Sequence, residues 1–224
     1  MIALRRPAGA FARVGHRGAS ALAPENTLEA LELAVELGCD MLEFDVLARR
    51  DGTLVLAHER RLITPHVPTL DEALAFCAER LPNVGLQVDL KRRGGEAAVV
   101  DALRRHGVLE RAWVSGFDAL SLRRVAALEP QLPRSYTLPR DRFGGAQRGL
   151  LPRRLPRLLT HADATAATLH HSLASPAAIA RAHELDAAVY VWTVDDVALA
   201  ERLVRAGADG IITNDPRIFT ALTT

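Results

Sequence analysis

The feature that most constrains this chain is an alternation that persists along almost its whole length. Strand-like apolar runs take turns with helix-like amphipathic ones. ARVGHRG precedes a helical stretch over Thr27–Leu37. MLEFDV follows, then a tight turn and the return run LVLAHE. A helix around Leu70–Glu79 leads to VGLQVDLK, and another around Glu96–His106 leads to AWVSGF. The helical LSLRRVAAL precedes RSYTL. A Pro/Arg-rich stretch, Pro139–Pro156, reads as loop with some helix. DATAATLH, a helix over Pro176–Leu185, AAVYVWTV, a helix over Val197–Ala206 and DGIIT complete the series. Alternating β and α segments predict a parallel sheet. With LVLAHE set aside as a return strand there are eight repeats. In 224 residues these fit a closed (β/α)8 TIM barrel better than an open sheet. No linker divides the chain, so residues 1–224 read as one domain.

In such barrels the chemistry sits at the C-terminal ends of the strands. The polar residues of the strand-like runs gather there: His16 and Arg17, Glu43 and Asp45, Asp89 and Lys91, Ser115, Trp192 and Thr193. The strand beginnings carry mainly alanine, valine and leucine. Glu43 and Asp45 are two apart, so they share one strand face while Leu42, Phe44 and Val46 take the other. Asp51-Gly52 is a strong two-residue hairpin signal. With Arg50 and Thr53 flanking that turn, Asp45 falls opposite His58. Lys91 is the only lysine in an arginine-rich chain. An ammonium is a compact point charge and a guanidinium a broad fork, so this position reads as one that needs the compact cation.

Three carboxylates, two histidines and two cations thus converge at one barrel mouth. Clustered carboxylates need a counter-charge, and an all-oxygen set suits one hard divalent cation, Mg²⁺ or Ca²⁺. Fixed cations beside it invite an anion, and phosphate suits them best. Two histidines flanking a phosphate permit one to deprotonate a nucleophile and the other to protonate a leaving alcohol, though which does which stays open. The residues point to metal-assisted cleavage of a phosphate ester.

The same residues resemble a known family. GHRGASALAPENTLEALELAVELGCDMLEFDVLARRDGTLVLAHE is similar to the start of the glycerophosphodiester phosphodiesterases. VDLK, VSGF, VYVWTVDD and GADGIITNDP resemble its later strands, in order. The resemblance implies a TIM barrel that hydrolyses glycerophosphodiesters to an alcohol and glycerol 3-phosphate. It implies His16 and His58 as the general acid/base pair. Glu43, Asp45 and Asp89 become metal ligands, Arg17 and Lys91 phosphate-binding residues, and Trp192 a substrate-pocket residue. Asp89 stands where the family usually has Glu, and Glu59 where it usually has Asp. Only ERRLITPHVPTL separates His58 from the next helix, so the small cap that the family commonly carries has little or no room. A lysophospholipase D acting on lysolipids, or a weakly catalytic barrel that binds phosphate-bearing ligands, are the alternatives.

Other features set bounds. The net charge of +1 argues against general nucleic-acid binding. No apolar run approaches the roughly 20 residues of a membrane span, and the N-terminus lacks a signal-peptide core. The expectation is a cytoplasmic protein with a small-molecule partner, a glycerophosphodiester or lysolipid, and no stable membrane insertion. Cys39 and Cys77 read as buried thiols. His170 and His171 are adjacent on a predicted strand end, so they should face opposite ways and stand outside any ligand set. The arginine-rich stretch Arg140–Arg157 reads as a solvated face. Pro24-Glu25-Asn26-Thr27 reads as a helix start, with Glu25 near enough to support the site.

Overall fold

Among the described residues nine strands form one sheet, of which eight are parallel and close on themselves. The structure, a computed structural model, describes residues 1–64, 66–139, 141 and 143–222. The strands are β1 (Ala12–His16), β2 (Met41–Ala48), β3 (Leu54–Leu56), β4 (Gly85–Leu90), β5 (Ala112–Gly116), β6 (Arg134–Leu138), β7 (Ala166–His170), β8 (Ala188–Trp192) and β9 (Gly210–Thr213). Their order is β1-β9-β8-β7-β6-β5-β4-β2, and β1 pairs with β2 to complete the ring. The short β3 lies antiparallel outside it, on β2. Helices α1 (Leu28–Glu36), α2 (Leu70–Arg80), α3 (Glu96–Arg105), α4 (Ala119–Leu128), α5 (Leu151–Ala162), α6 (Pro176–His183) and α7 (Val197–Arg205) connect the strands. This is the expected (β/α)8 TIM barrel with a hairpin after the second strand.

Strand alternation separates two cores. Leu42, Phe44, Val46, Leu86, Val88 and Leu90 point outward and pack with the apolar faces of the helices. Inside the barrel a smaller cluster fills the lower half, with Val14, Met41, Trp113, Tyr190 and Ile212 at its centre. The Trp113 and Tyr190 rings lie 4.6 Å apart. Gly210 is required there: a Cβ would come within 2.3 Å of the Tyr190 ring. The N-terminal segment covers this end. Leu4 joins the interior cluster, its carbonyl accepts from the Tyr190 hydroxyl at 3.2 Å, and Arg5 pairs with buried Asp209 at 3.0 Å. With the lower half filled, polar side chains are left only the upper half, at the C-terminal strand ends.

One expectation about the elements needs correction. The hairpin register differs by one residue. Val46 pairs with Leu56, Leu47 with Val55 and Ala48 with Leu54. The loop is three residues, Arg50 to Gly52, closed by Arg49 N–H donating to Thr53 O at 2.8 Å. Gly52 supplies its positive φ, 89°. Asp45 therefore faces Ala57, whose N–H donates to the Asp45 carbonyl at 3.1 Å, and His58 lies two residues past the end of β3. The Pro/Arg-rich stretch combines loop and helix, as expected. It holds a 3-10 turn over Gly145–Leu150 and the start of α5, with Pro156 inside that helix. Buried Leu151, Leu155, Leu159 and Ala162 recur at helical spacing, and their burial outweighs the hydrogen bond the proline removes. Arg140 and Arg142 lie outside the described residues. Between β3 and α2 the described residues form one 3-10 turn, Arg60–Leu62, with no inserted cap; Pro65 in this connection lies outside them.

Candidate active site

Adjacent strands in register bring the acidic residues together. His16 of β1 pairs with Glu43 of β2. Glu43 and Asp45 sit beside Gln87 and Asp89 of β4, and Asp89 beside Ser115 of β5. One carboxylate oxygen from each of Glu43, Asp45 and Asp89 falls within 4.8 Å of the others, and all three residues are buried. Two cations face them. Lys91 Nζ is 2.6 Å from Asp45 Oδ1 and also contacts Asp89. Arg17 Nε is 3.0 Å from Asp45 Oδ2. Its Nη1 is 2.6 Å from Glu25, and its main-chain N–H donates to Glu43 at 2.9 Å.

The loop after β1 makes these contacts possible. Arg17 and Gly18 both take positive φ, 56° and 79°. A Cβ on Gly18 would lie 2.4 Å from the Ala30 backbone of α1, so the tight His-Arg-Gly turn needs glycine at its third position. Asn26, also at positive φ, clamps Asp45 from both sides. Its Nδ2 donates to Oδ2 at 2.9 Å and its Oδ1 accepts from the Asp45 N–H at 3.0 Å. Thr27, not Asn26, is the N-cap of α1. Ser115 donates to Asp89 at 2.5 Å and accepts from Gln87 Nε2 at 3.0 Å, which holds the shorter carboxylate in place.

Burial and charge act differently on these groups. Burial pushes the Glu43 carboxyl well above the usual range, and neighbouring Asp45 adds to the rise. Burial also raises Asp45, but Lys91 and Arg17 outweigh it and hold that carboxyl below its ordinary value. The Lys91 ammonium loses solvation on burial, yet Asp89 and Asp45 raise its pKa overall. Both histidines are lowered, His16 by burial and then Arg17, and His58 chiefly by burial. The protonation that burial favours on Glu43 marks a deficit of positive charge. A hard cation bound by the three carboxylates would replace that proton, so the donor set fits a divalent metal.

His16, Arg17, Glu43, His58, Gln87, Asp89, Lys91, Phe117 and Trp192 line one cleft at the barrel mouth. The structure thus brings together every site residue expected from the sequence except that Asp45 lies beneath the cleft surface, fully buried behind Arg17 and Lys91. His58 reaches the cleft although the register that was to place it there does not hold. Phe117, Asn26 and Gln87 are site residues that the sequence reading does not name as such; Ser115 it places at a strand end without giving it a role. Phe117 stacks edge-on against Trp192, centroids 6.1 Å apart, and lies 5.3 Å from Lys91 Nζ. Its position two residues after Ser115 was the available signal. His170 and His171 do not face opposite ways. The chain turns into a 3-10 helix at His171, leaving the two rings 4.2 Å apart with His170 against Trp192.

The sequence profile of the glycerophosphoryl diester phosphodiesterase family matches residues 16–64 and 61–218. The chain belongs to that family. A glycerophosphodiester phosphodiesterase of Caldanaerobacter subterraneus is 26% identical over 244 residues, covering 93% of this chain and 96% of that one. Among solved structures, a Silicibacter pomeroyi protein named as a candidate member of the family is 26% identical with a TM-score of 0.82, covering 97% of this chain and 96% of its own. An Oleispira antarctica phosphodiesterase, solved with the product sn-glycerol-3-phosphate, is 24% identical with a TM-score of 0.80, covering 95% of this chain and 96% of its own, and shares the fold. The family assignment agrees with the resemblance in His-Arg-Gly, Glu-x-Asp and the strands that follow.

Proposed function

We propose that this chain hydrolyses glycerophosphodiesters to an alcohol and glycerol 3-phosphate, using one divalent cation. The observation that carries the reading is the convergence of Glu43, Asp45 and Asp89 within 4.8 Å on a cleft that His16 and His58 also line. Family membership supports the substrate class. The three carboxylates would hold the cation, whose chemistry is to neutralise charge on a phosphoryl group and lower the pKa of a bound hydroxyl. Arg17 and Lys91 bind and orient the phosphate oxygens and stabilise the negative charge that grows in the transition state. One imidazole removes a proton from the attacking hydroxyl, and the other delivers one to the departing oxygen. Their lowered pKa values keep both rings largely neutral near pH 7 in the free protein, which suits proton acceptance. The ring that donates must gain its proton once the phosphate is bound.

Lysophospholipase D action is a second reading, and one observation favours it. The uncapped β3–α2 connection carries Leu62 at 41% exposure, and the β6–α5 connection carries Leu150 at 40%. Apolar side chains on mouth-side loops suit a substrate with an acyl chain. Turnover of glycerophosphocholine with Mg²⁺ or Ca²⁺, lost in EDTA, is the expected result. Faster turnover of lysophosphatidylcholine would move the assignment to the second reading. No turnover of either, with phosphate still bound, would leave a binding barrel.

A further inference from the structure

His16 is held by a pair of residues that the proposed chemistry does not yet use. Asn214 follows β9 directly, and Asp195 lies in the β8–α7 connection. Asp195 accepts from the Asn214 main-chain N–H at 2.7 Å, from Asn214 Nδ2 at 2.7 Å and from the Thr213 hydroxyl at 2.9 Å. A carboxylate offers only acceptors. The Asn214 amide must therefore turn its nitrogen to Asp195 and its oxygen the other way, since the reverse would set two oxygens 2.7 Å apart. That oxygen receives the Ser20 hydroxyl at 2.9 Å and lies 2.7 Å from His16 Nδ1. An amide oxygen can only accept, so Nδ1 is the nitrogen that carries hydrogen in the neutral ring. The lone pair is left on Nε2, the nitrogen 3.9 Å from Glu43 on the cleft side.

We infer that Asp195 and Asn214 are positioning residues that lock neutral His16 as its Nδ1–H tautomer and aim the Nε2 lone pair into the cleft. The inference rests on the reading of His16 as a proton-transfer group. Its consequence is a division of labour. The neutral ring takes a proton from an O–H at Nε2 and becomes imidazolium, while its Nδ1–H stays on Asn214. It has no proton to give at the cleft until it has taken one, so His58 is left as the donor to the leaving oxygen.

Two-bond ¹⁵N–¹H correlation spectra of the histidine-labelled full chain, stripped with EDTA at about pH 8 so that imidazoles are neutral, read the tautomer without turnover. His16 signals are those lost in His16→Ala. A pyrrole-type Nδ1 and a pyridine-type Nε2 are expected, giving way to a tautomer mixture in Asn214→Ala and in the isosteric Asp195→Asn. In both variants kcat should fall about 10–100-fold with KM little changed, and the His58 signals, unmoved, report an intact barrel. An Nε2–H tautomer in the wild type would overturn the inference. So would variants that keep the wild-type tautomer, or that change it without loss of kcat. A wild-type chain that hydrolyses no phosphodiester, while its His16 shows the Nδ1–H tautomer that both variants lose, supports the lock and sinks the phosphodiesterase reading instead.

Discussion

At the residue scale, the site depends on charges that are costly to bury and that compensate one another. Replacing His16 or His58 by Ala should each abolish turnover while circular dichroism stays that of the wild type; ordinary rates in either variant would remove that ring from the mechanism. Lys91→Arg keeps the charge but should lower kcat/KM by about tenfold or more, because a planar fork cannot meet Asp45 and Asp89 and still face a phosphate as a point charge does. Wild-type kinetics there would make the solitary lysine an accident of composition. Glu43 supplies the pH-dependent prediction. Its folded-state pKa is raised, so without metal its contribution to stability is present at low pH and is lost as pH rises from its unfolded value, near 4.5, through the folded one. Glu43→Gln should therefore raise the melting temperature of the EDTA-treated protein near pH 7, by about 2–4 °C for each kcal/mol recovered. It should also abolish the stabilisation that Mg²⁺ or Ca²⁺ gives the wild type. In the wild type, metal affinity should weaken as pH falls through the raised Glu43 pKa, because the cation and the proton compete. Titrating metal calorimetrically at two pH values checks the sign.

At the element scale, patterning decides more than punctuation. The apolar spacing of α5 forms a helix over a proline that breaker rules alone would place in a loop. Pro156 leaves the Pro152 carbonyl without its helical donor, so Pro156→Ala should stabilise the chain by about 1–3 kcal/mol, visible as a higher urea midpoint. An unchanged or lower midpoint would mean that the ring is packed rather than tolerated. The hairpin teaches the opposite lesson. Asp51-Gly52 does mark a turn, but whether two or three residues close it is set by which main-chain groups the twisted strands bring together. That choice moves the register by one. Here the three-residue loop wins, with Gly52 in the left-handed conformation, and His58 arrives by the turn after β3 rather than from the ladder itself.

At the scale of the whole molecule, the barrel separates stability from chemistry along its axis. One end is filled by Trp113, Tyr190 and the N-terminal segment around Leu4; the other holds the carboxylates and both histidines. Gly210→Ala tests the packed end. The added methyl would sit within 2.3 Å of the Tyr190 ring, and overpacking of this kind costs about 1–3 kcal/mol. A melting temperature lower by roughly 2–12 °C is expected, with the metal affinity of the remaining folded protein unaltered. An unaltered melting temperature would show that the ring yields freely.

The order of strands and helices, the two-faced strands and the clustering of His16, Glu43, Asp45, Asp89 and Lys91 at strand ends were all legible in the sequence. Periodicity is a local property, and a parallel barrel converts position along a strand directly into height above the core. What needed the tertiary structure was every contact between residues distant in the chain that no repeating pattern announces. Asn26 looks like a helix cap, yet it clamps Asp45 because the loop after β1 folds back over β2. Asn214 and Asp195 look like ordinary loop residues, yet closing the ring puts β9 beside β1 and Asn214 against His16. Such partners are selected by hydrogen-bond direction in three dimensions, and linear spacing carries no record of that.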